Sequence, residues 1–516
     1  RAPSVDDARR SELAHEAAVK RTLHAPHAPM MVVSKVLRVG ALRAGTSCSA
    51  GSFRQLATAA SASRKVLDVA TPADVKRGGV PIDEAGGNVS LVERTLSWKP
   101  LLLPSGRLTV ASRDLFTPSN DPLTHTADDI GSYFQLDGST SAFSDVFYHT
   151  GFCGSEAEIK KLKAAAIMVR RPGLDLRDEL LALQHGGGLA DTPGFIVNGP
   201  RGCGKSYTLN YALAAAHEAG WLVVNLPRAS DWTHGLGARS TQAPNEAYRV
   251  TDPNYFKEVP AHIKADPAWA DVYDNPDATA NLLLSVYLSQ KSKLAAIPIK
   301  EPERIAHYAA AATDQASGPT LADMLSLVAL DRYNSFNEFP MPLRPVVDFF
   351  AELQTVTEFP VLLAVDGWNY WQHPTNSKHW RSHRPLHASE LLVPRLIGDV
   401  EAYGGSMANG VMLCAVSHAG ASRPALPRQM RKYFVPPVDW RRPGLGGRHP
   451  RLLDAIRQVP AYGSRELQAA LEFYALAGLL RNQSLQEQLR SGALRRKVNL
   501  MTSGVGEDVF KLCQAM

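Results

Sequence analysis

The sequence predicts an α/β domain built around a mostly parallel sheet, and three observations carry that expectation. Apolar runs recur at 194–198, 221–227, 361–365 and 410–417, each short enough for a buried strand. Helical spacing fills the intervals, as in Leu209, Ala212, Leu213 and Ala216. The polar residues suited to chemistry fall at the carboxyl ends of these runs, the edge where open parallel sheets receive ligands.

The first run, Gly194-Phe195-Ile196-Val197-Asn198, opens directly into Gly199, Pro200, Arg201, Gly202, Cys203, Gly204, Lys205 and Ser206, which satisfies G-x-x-x-x-G-K-[ST]. An Ala/Leu-rich helix is predicted from Ser206 to Gly220. Strand, glycine loop and helix together make a phosphate cradle. Glycines let main-chain N–H groups turn inward, and the helix start adds unpaired N–H groups and a favourable dipole. Lys205 is placed to reach the outer phosphates, Ser206 to hold magnesium, and Tyr207 to complete the cofactor-binding set.

The run Val361 to Val365 ends in Asp366, the form of a Walker B strand whose carboxylate holds magnesium together with Ser206. Gly367 stands where hydrolytic P-loop ATPases of the additional-strand type place a water-polarising glutamate, so binding is expected rather than turnover. After the run 410–417, Ser417 reads either as a sensor of the terminal phosphate or as a simple helix cap.

Other elements follow from local signals. A helix is predicted over 160–169 and another over "RRPGLDLRDELLALQ", 170–184. Residues 228–318 are polar and proline-interrupted, with an apolar helical piece near Leu282 to Tyr287, and read as an insertion. Thr320 and Asp323 have capping-box spacing before a helix, and Leu343 to Thr357 forms the next. Near the C-terminus Leu467, Ala470, Leu471 and Tyr474 share one helical face. The predicted organisation is a leader at 1–66, a partly extended N-terminal region at 67–160, a P-loop α/β domain at 161–440 and a C-terminal helical lid at 441–516. The core is expected to be of the AAA/STAND-like additional-strand type.

The chain has 516 residues, 45% hydrophobic and 21% charged, with no apolar run long enough to span a bilayer, so no membrane association is expected. Its five cysteines are scattered, without the close pairs of a zinc site or disulfide framework, which fits a reducing compartment. No acidic residue lies between Glu16 and Asp68, whereas eight Lys/Arg do, among many Ser and Ala. That composition belongs to a mitochondrial transit peptide, convincing from Met31 onward, with residues 1–30 as an upstream extension; a plain basic tail is the alternative. Residues 1–66 carry eleven Lys/Arg and four Asp/Glu, a net of +7 against +6 for the whole chain. The remainder is near neutral, and its global charge gives no argument for nucleic acid.

Two local stretches are more suggestive. Residues 423–457 hold nine Lys/Arg against two Asp/Glu, with Tyr433, Phe434 and Trp440 interleaved, which suits either RNA contact or a solvated loop. "KHWRSHRPLH" at 378–387 has three histidines without an accompanying Cys or acid, and is not expected to bind metal.

Taken in order, "MVRRPGLDL", "GFIVNGPRGCGKS", "WLVVNLPRASDW", "LLAVDGWNYW", "VMLCAVSHAG" and the late "SG" with Cys513 resemble the family of death-associated protein three, over about 165–516. The resemblance implies a component of the small subunit of the mitochondrial ribosome, in its head. Implied partners are the small-subunit rRNA, neighbouring mitochondrial ribosomal proteins and the large subunit through intersubunit bridges. Bound GTP or GDP with magnesium is also implied, with Gly199 through Ser206 as the phosphate loop and Asp366 as the magnesium-side carboxylate. The residues themselves leave ATP open, since the guanine-reading N-K-x-D motif is absent. The competing expectation is an active P-loop NTPase or switch of the STAND type, acting in signalling or ribosome assembly.

Overall fold

The computed structural model describes residues 115–136, 140–154, 156–162, 165–186, 188–189, 192, 194–234, 247–334, 341–372, 374–402, 407–417, 456–480 and 482–516. The predicted leader and residues 423–455 of the basic stretch lie outside them. At the centre is a five-stranded sheet whose adjacent strands are all parallel. Its strands are β1 (Gly194–Asn198), β2 (Leu222–Leu226), β3 (Val361–Asp366), β4 (Gly410–Ala415) and β5 (Ile456–Gln458), in the spatial order β5-β1-β4-β3-β2. The fold class is therefore mixed α/β with a parallel sheet.

Why the strands read as unbroken apolar runs is visible in their two faces. Side chains alternate across a strand, and both faces here are covered. On one face Ile196, Leu222, Val224, Leu363, Val365, Met412 and Cys414 join a core with helices α3 (Pro276–Ala295), α4 (Leu321–Asn334), α5 (Arg344–Leu353) and α6 (Leu392–Ala402). On the other, Phe195, Val197, Val223, Leu362, Ala364, Leu413 and Ala415 meet α1 (Arg171–Gly186) and α2 (Lys205–Glu218). All six residues of β3 and all six of β4 are buried, as strands covered on both faces must be.

Local chemistry sets several helix starts. The Thr320/Asp323 box forms: Asp323 Oδ2 accepts from the Thr320 N–H at 2.9 Å, and Thr320 Oγ1 accepts from the Asp323 N–H at 3.3 Å. The apolar piece at 282–287 lies inside the longer α3, which is capped by Asn275, whose side chain accepts from the Ala278 N–H, with proline in the first turn.

One local expectation is corrected. The helix predicted over 160–169 runs instead from Glu156 to Leu162, and Ala166–Met168 is a strand, antiparallel to Tyr133–Gln135. Tertiary context overrides the helical spacing: Ile167 enters the sheet-side core, while Ala166 and Met168 face a third core shared with the C-terminal helices. Within the region 67–160, expected to be partly extended, the described residues bury Phe134, Leu136, Val146, Phe147, Phe152 and Ile159.

The C-terminal helices are α7 (Ser464–Leu476), α8 (Gln483–Arg490), α9 (Ala493–Thr502) and α10 (Gly506–Ala515). Leu467, Ala470, Leu471 and Tyr474 are all buried, as their shared face requires. Tyr133 stacks on Phe473 at 4.2 Å between ring centroids, which ties this helical group to the strand pair. Among the described residues no helix is long and apolar enough to cross a membrane.

Candidate phosphate-binding site

β1 delivers the chain at Asn198 into the loop 199–204, and α2 begins at Lys205. The glycines are required by geometry. Gly199, Gly202 and Gly204 have φ of 152°, 74° and 96°, values that side-chain-bearing residues avoid. A Cβ on Gly199 would strike the Val459 carbonyl and approach Cys203 Sγ to 2.9 Å.

The loop is braced from behind by Arg170, which is almost fully buried. Its guanidinium donates to Cys203 O at 2.6 Å, to Pro460 O at 2.9 Å and to Glu466 of α7 at 2.8 Å, and lies 4.8 Å from the Tyr462 ring centroid. Three elements are thus fixed to the loop's backbone by one side chain. At the loop's outer side Arg201 pairs with Glu507 of α10 at 3.2 Å, and the Glu507 N–H donates to Gly202 O at 3.0 Å.

Lys205 and Asp366 are each only 6% exposed. Lys205 Nζ donates to the loop's own carbonyls, Gly199 O at 3.1 Å and Pro200 O at 2.8 Å. Burial lowers its pKa, against the raising influence of Cys203, Asp366 and Glu507. Ser206 Oγ donates to Asp366 Oδ2 at 2.9 Å. Asp366 Oδ1 is buried without a hydrogen-bond partner. Burial raises the carboxyl's pKa to about 6, although the Ser206 hydroxyl, the Gly367 N–H and Lys205 all pull it down. An orphaned carboxylate oxygen beside a serine hydroxyl is the donor set a hard cation uses.

Gly367 follows with φ of 76°, and its N–H donates to Ala415 O at 2.9 Å. Next to it Asn369 and Ser417 clasp each other: the Asn369 amide donates to Ser417 O at 2.8 Å and accepts from the Ser417 N–H at 2.7 Å. Ser417 therefore sits at the same sheet edge as Asp366, with its hydroxyl bonded to Tyr370. Tyr207 has its phenol hydrogen-bonded to Glu158.

One neighbour of the site, Gly154, carries no motif in the sequence. Gly154, with φ of 55°, lies directly against the Ser206–Asp366 pair, and a Cβ there would collide with Ser206 and come within 2.9 Å of Asp366 Oδ2. Its segment is held by two buried asparagines. Asn210 of α2 accepts from the Cys153 N–H at 2.9 Å and donates to Cys153 O at 3.2 Å; Asn225 of β2 donates to Thr150 Oγ1 at 2.8 Å and Gly151 O at 3.2 Å. The asparagines were visible in the apolar runs as misplaced polar residues, but nothing local pointed to their partner.

Fold and site together define an α/β protein of the parallel-sheet class, carrying a phosphate-loop motif at the carboxyl edge of its strands. The chain matches the mitochondrial ribosomal death-associated protein 3 family over residues 167–266 and 249–512, and it belongs to that family. Membership places it in the mitochondrion. Over 130 residues it is 26% identical to the small ribosomal subunit protein mS29 of Bos taurus, covering 25% of this chain and 31% of that protein. The chain thus spans under a third of the length of that relative in alignment.

Proposed function

We propose that this chain is a structural component of the small subunit of the mitochondrial ribosome, holding GTP or GDP with magnesium at residues 199–206 and supporting mitochondrial translation. The observation that carries the nucleotide reading is the Ser206–Asp366 contact, with Asp366 Oδ1 left unpartnered beside it. The residues fit the group. Magnesium would be held by Ser206 and Asp366, and the phosphates by the main chain of Gly199 through Ser206 with Lys205. Bound magnesium supplies charge neutralisation for the phosphates. Guanine rather than adenine rests on the family resemblance alone.

The core is read as the additional-strand type because β4 stands between β1, which enters the loop, and β3, which ends in Asp366. The C-terminal helices are read as a lid, supported by the contacts of Glu507 with Arg201 and Gly202. Partners in this reading are the small-subunit rRNA, neighbouring ribosomal proteins and the large subunit across its bridges, and the relative's name as a small-subunit protein supports it.

The role is structural rather than enzymatic. Gly367 offers no general base at the position after Asp366, and Asn369 and Ser417 beside it are engaged with each other. Nucleotide then acts as a folding staple, whose stabilisation grows with the logarithm of its concentration over Kd. Sedimentation of mitochondrial lysate tests the ribosomal assignment. The chain is expected to travel with the small subunit, and a free pool alone would refute the assignment.

A further inference from the structure

The stretch "KHWRSHRPLH" folds as a hairpin, Pro374–Lys378 antiparallel to Pro385–His387, and carries a polar surface that the phosphate loop does not use. Trp380 stands in its connection, 48% exposed. Two guanidinium groups lie on the indole: Arg381 at 4.2 Å and Arg249 at 4.9 Å from the ring centroid. Arg249 comes from a different element, the short strand Tyr248–Arg249 paired with Tyr273–Asp274.

Two nearby acids have other partners. Arg384 binds Glu390 at 2.6 Å, and His379 approaches Asp271 at 3.3 Å. Arg249, Arg381 and Lys378 have no acidic partner among the described residues. Stacking on an indole orients a guanidinium while leaving its N–H edge free, and that edge matches two phosphate oxygens. About half of Trp380 is exposed, and a guanidinium plane lying on its ring can in turn stack an unpaired base. Acidic side chains alone would satisfy the cations but would leave the exposed indole uncovered.

We infer that Arg249, Trp380 and Arg381 bind a single-stranded RNA segment, the guanidinium groups on its phosphodiester backbone and the Arg–Trp stack against an unpaired base. The inference deepens the ribosomal reading, on which it rests for the source of the RNA.

The test is binding of a fluorescein-labelled oligouridine to the purified full chain, followed by anisotropy over a salt titration. Each phosphate contact on a single strand contributes about 0.7 to the slope of log K against log salt. Joint replacement Arg249→Ala with Arg381→Ala is expected to flatten the slope by about 1.4. Trp380→Ala is expected to weaken binding roughly tenfold, with Trp380→Phe restoring most of it. Thermal melting of each variant confirms that it is folded. Failure of the wild-type chain to bind oligouridine, or unchanged affinity and slope in folded variants, would overturn the inference. So would displacement of the RNA by oligoglutamate at matching concentration, which would mark an acidic protein as the partner. Sedimentation of the wild-type chain judges the ribosomal reading separately: RNA binding at the stack by a chain absent from the subunit would refute that reading alone.

Discussion

Ser206 donates its hydroxyl to Asp366 Oδ2 across 2.9 Å, joining residues 160 positions apart at one edge of the sheet. The main chain at Gly154 lies against this pair with a left-handed φ of 55°. Gly154→Ala places a methyl where Ser206 and Asp366 already stand, in a conformation alanine disfavours. The expected cost is about 1–3 kcal/mol of stability. Thermal melting measures it, and magnesium–GDP should stabilise the variant less than the wild-type chain.

The contact between loop and α10 separates two kinds of interaction. Arg201 and Glu507 are partly exposed, so Arg201→Ala should cost under about 1 kcal/mol. Gly202 is different: its φ is 74° and a Cβ would collide with Glu507. Gly202→Ala is expected to destabilise several times more. Urea denaturation of the two variants compares them directly.

Arg170 and Glu466 form a buried pair, their side chains 5% and 12% exposed. Removing one partner strands a charge. Glu466→Ala should therefore cost on the order of 3–5 kcal/mol, while also loosening the loop through the Cys203 and Pro460 carbonyls that Arg170 holds. Nucleotide affinity of the variant should fall even at temperatures where it remains folded.

Glu158 supplies a pH dependence. Loss of solvent raises its pKa to about 7, against the hydrogen bonds from Tyr207 and Tyr474 that favour the carboxylate. The folded state thus binds more protons than the unfolded between about pH 4.5 and 7. Stability falls as pH rises through that window, by on the order of 3 kcal/mol at most. Glu158→Gln should remove this part of the slope. Denaturation midpoints at pH 5 and pH 8, compared with the wild-type chain, check the sign.

Much of this architecture was legible because it rests on short-range rules. The loop's glycines, the burial of Val361–Asp366 on both faces and the Thr320 cap each follow from a few consecutive residues. What was not legible depends on distant partners. Ala166–Met168 looks helical until Tyr133–Gln135 pairs with it, and Arg170 looks like a surface charge until Cys203, Pro460 and Glu466 surround it. Tyr207 sits next to Ser206 in sequence, yet its phenol turns to Glu158, a residue that no local pattern links to it. Asn210 and Asn225 stand out within apolar runs, but their partner segment, 150–154, carries no motif.

The central claim is that Lys205, Ser206 and Asp366 hold a nucleotide phosphate and its magnesium. Calorimetric titration of the purified chain with GDP in magnesium tests it most directly, alongside Lys205→Ala and Asp366→Asn. Saturable binding at one site is predicted, lost in the first variant and made independent of magnesium in the second. A wild-type chain that takes up neither GDP nor GTP, or variants that bind as the wild type does, would contradict the account.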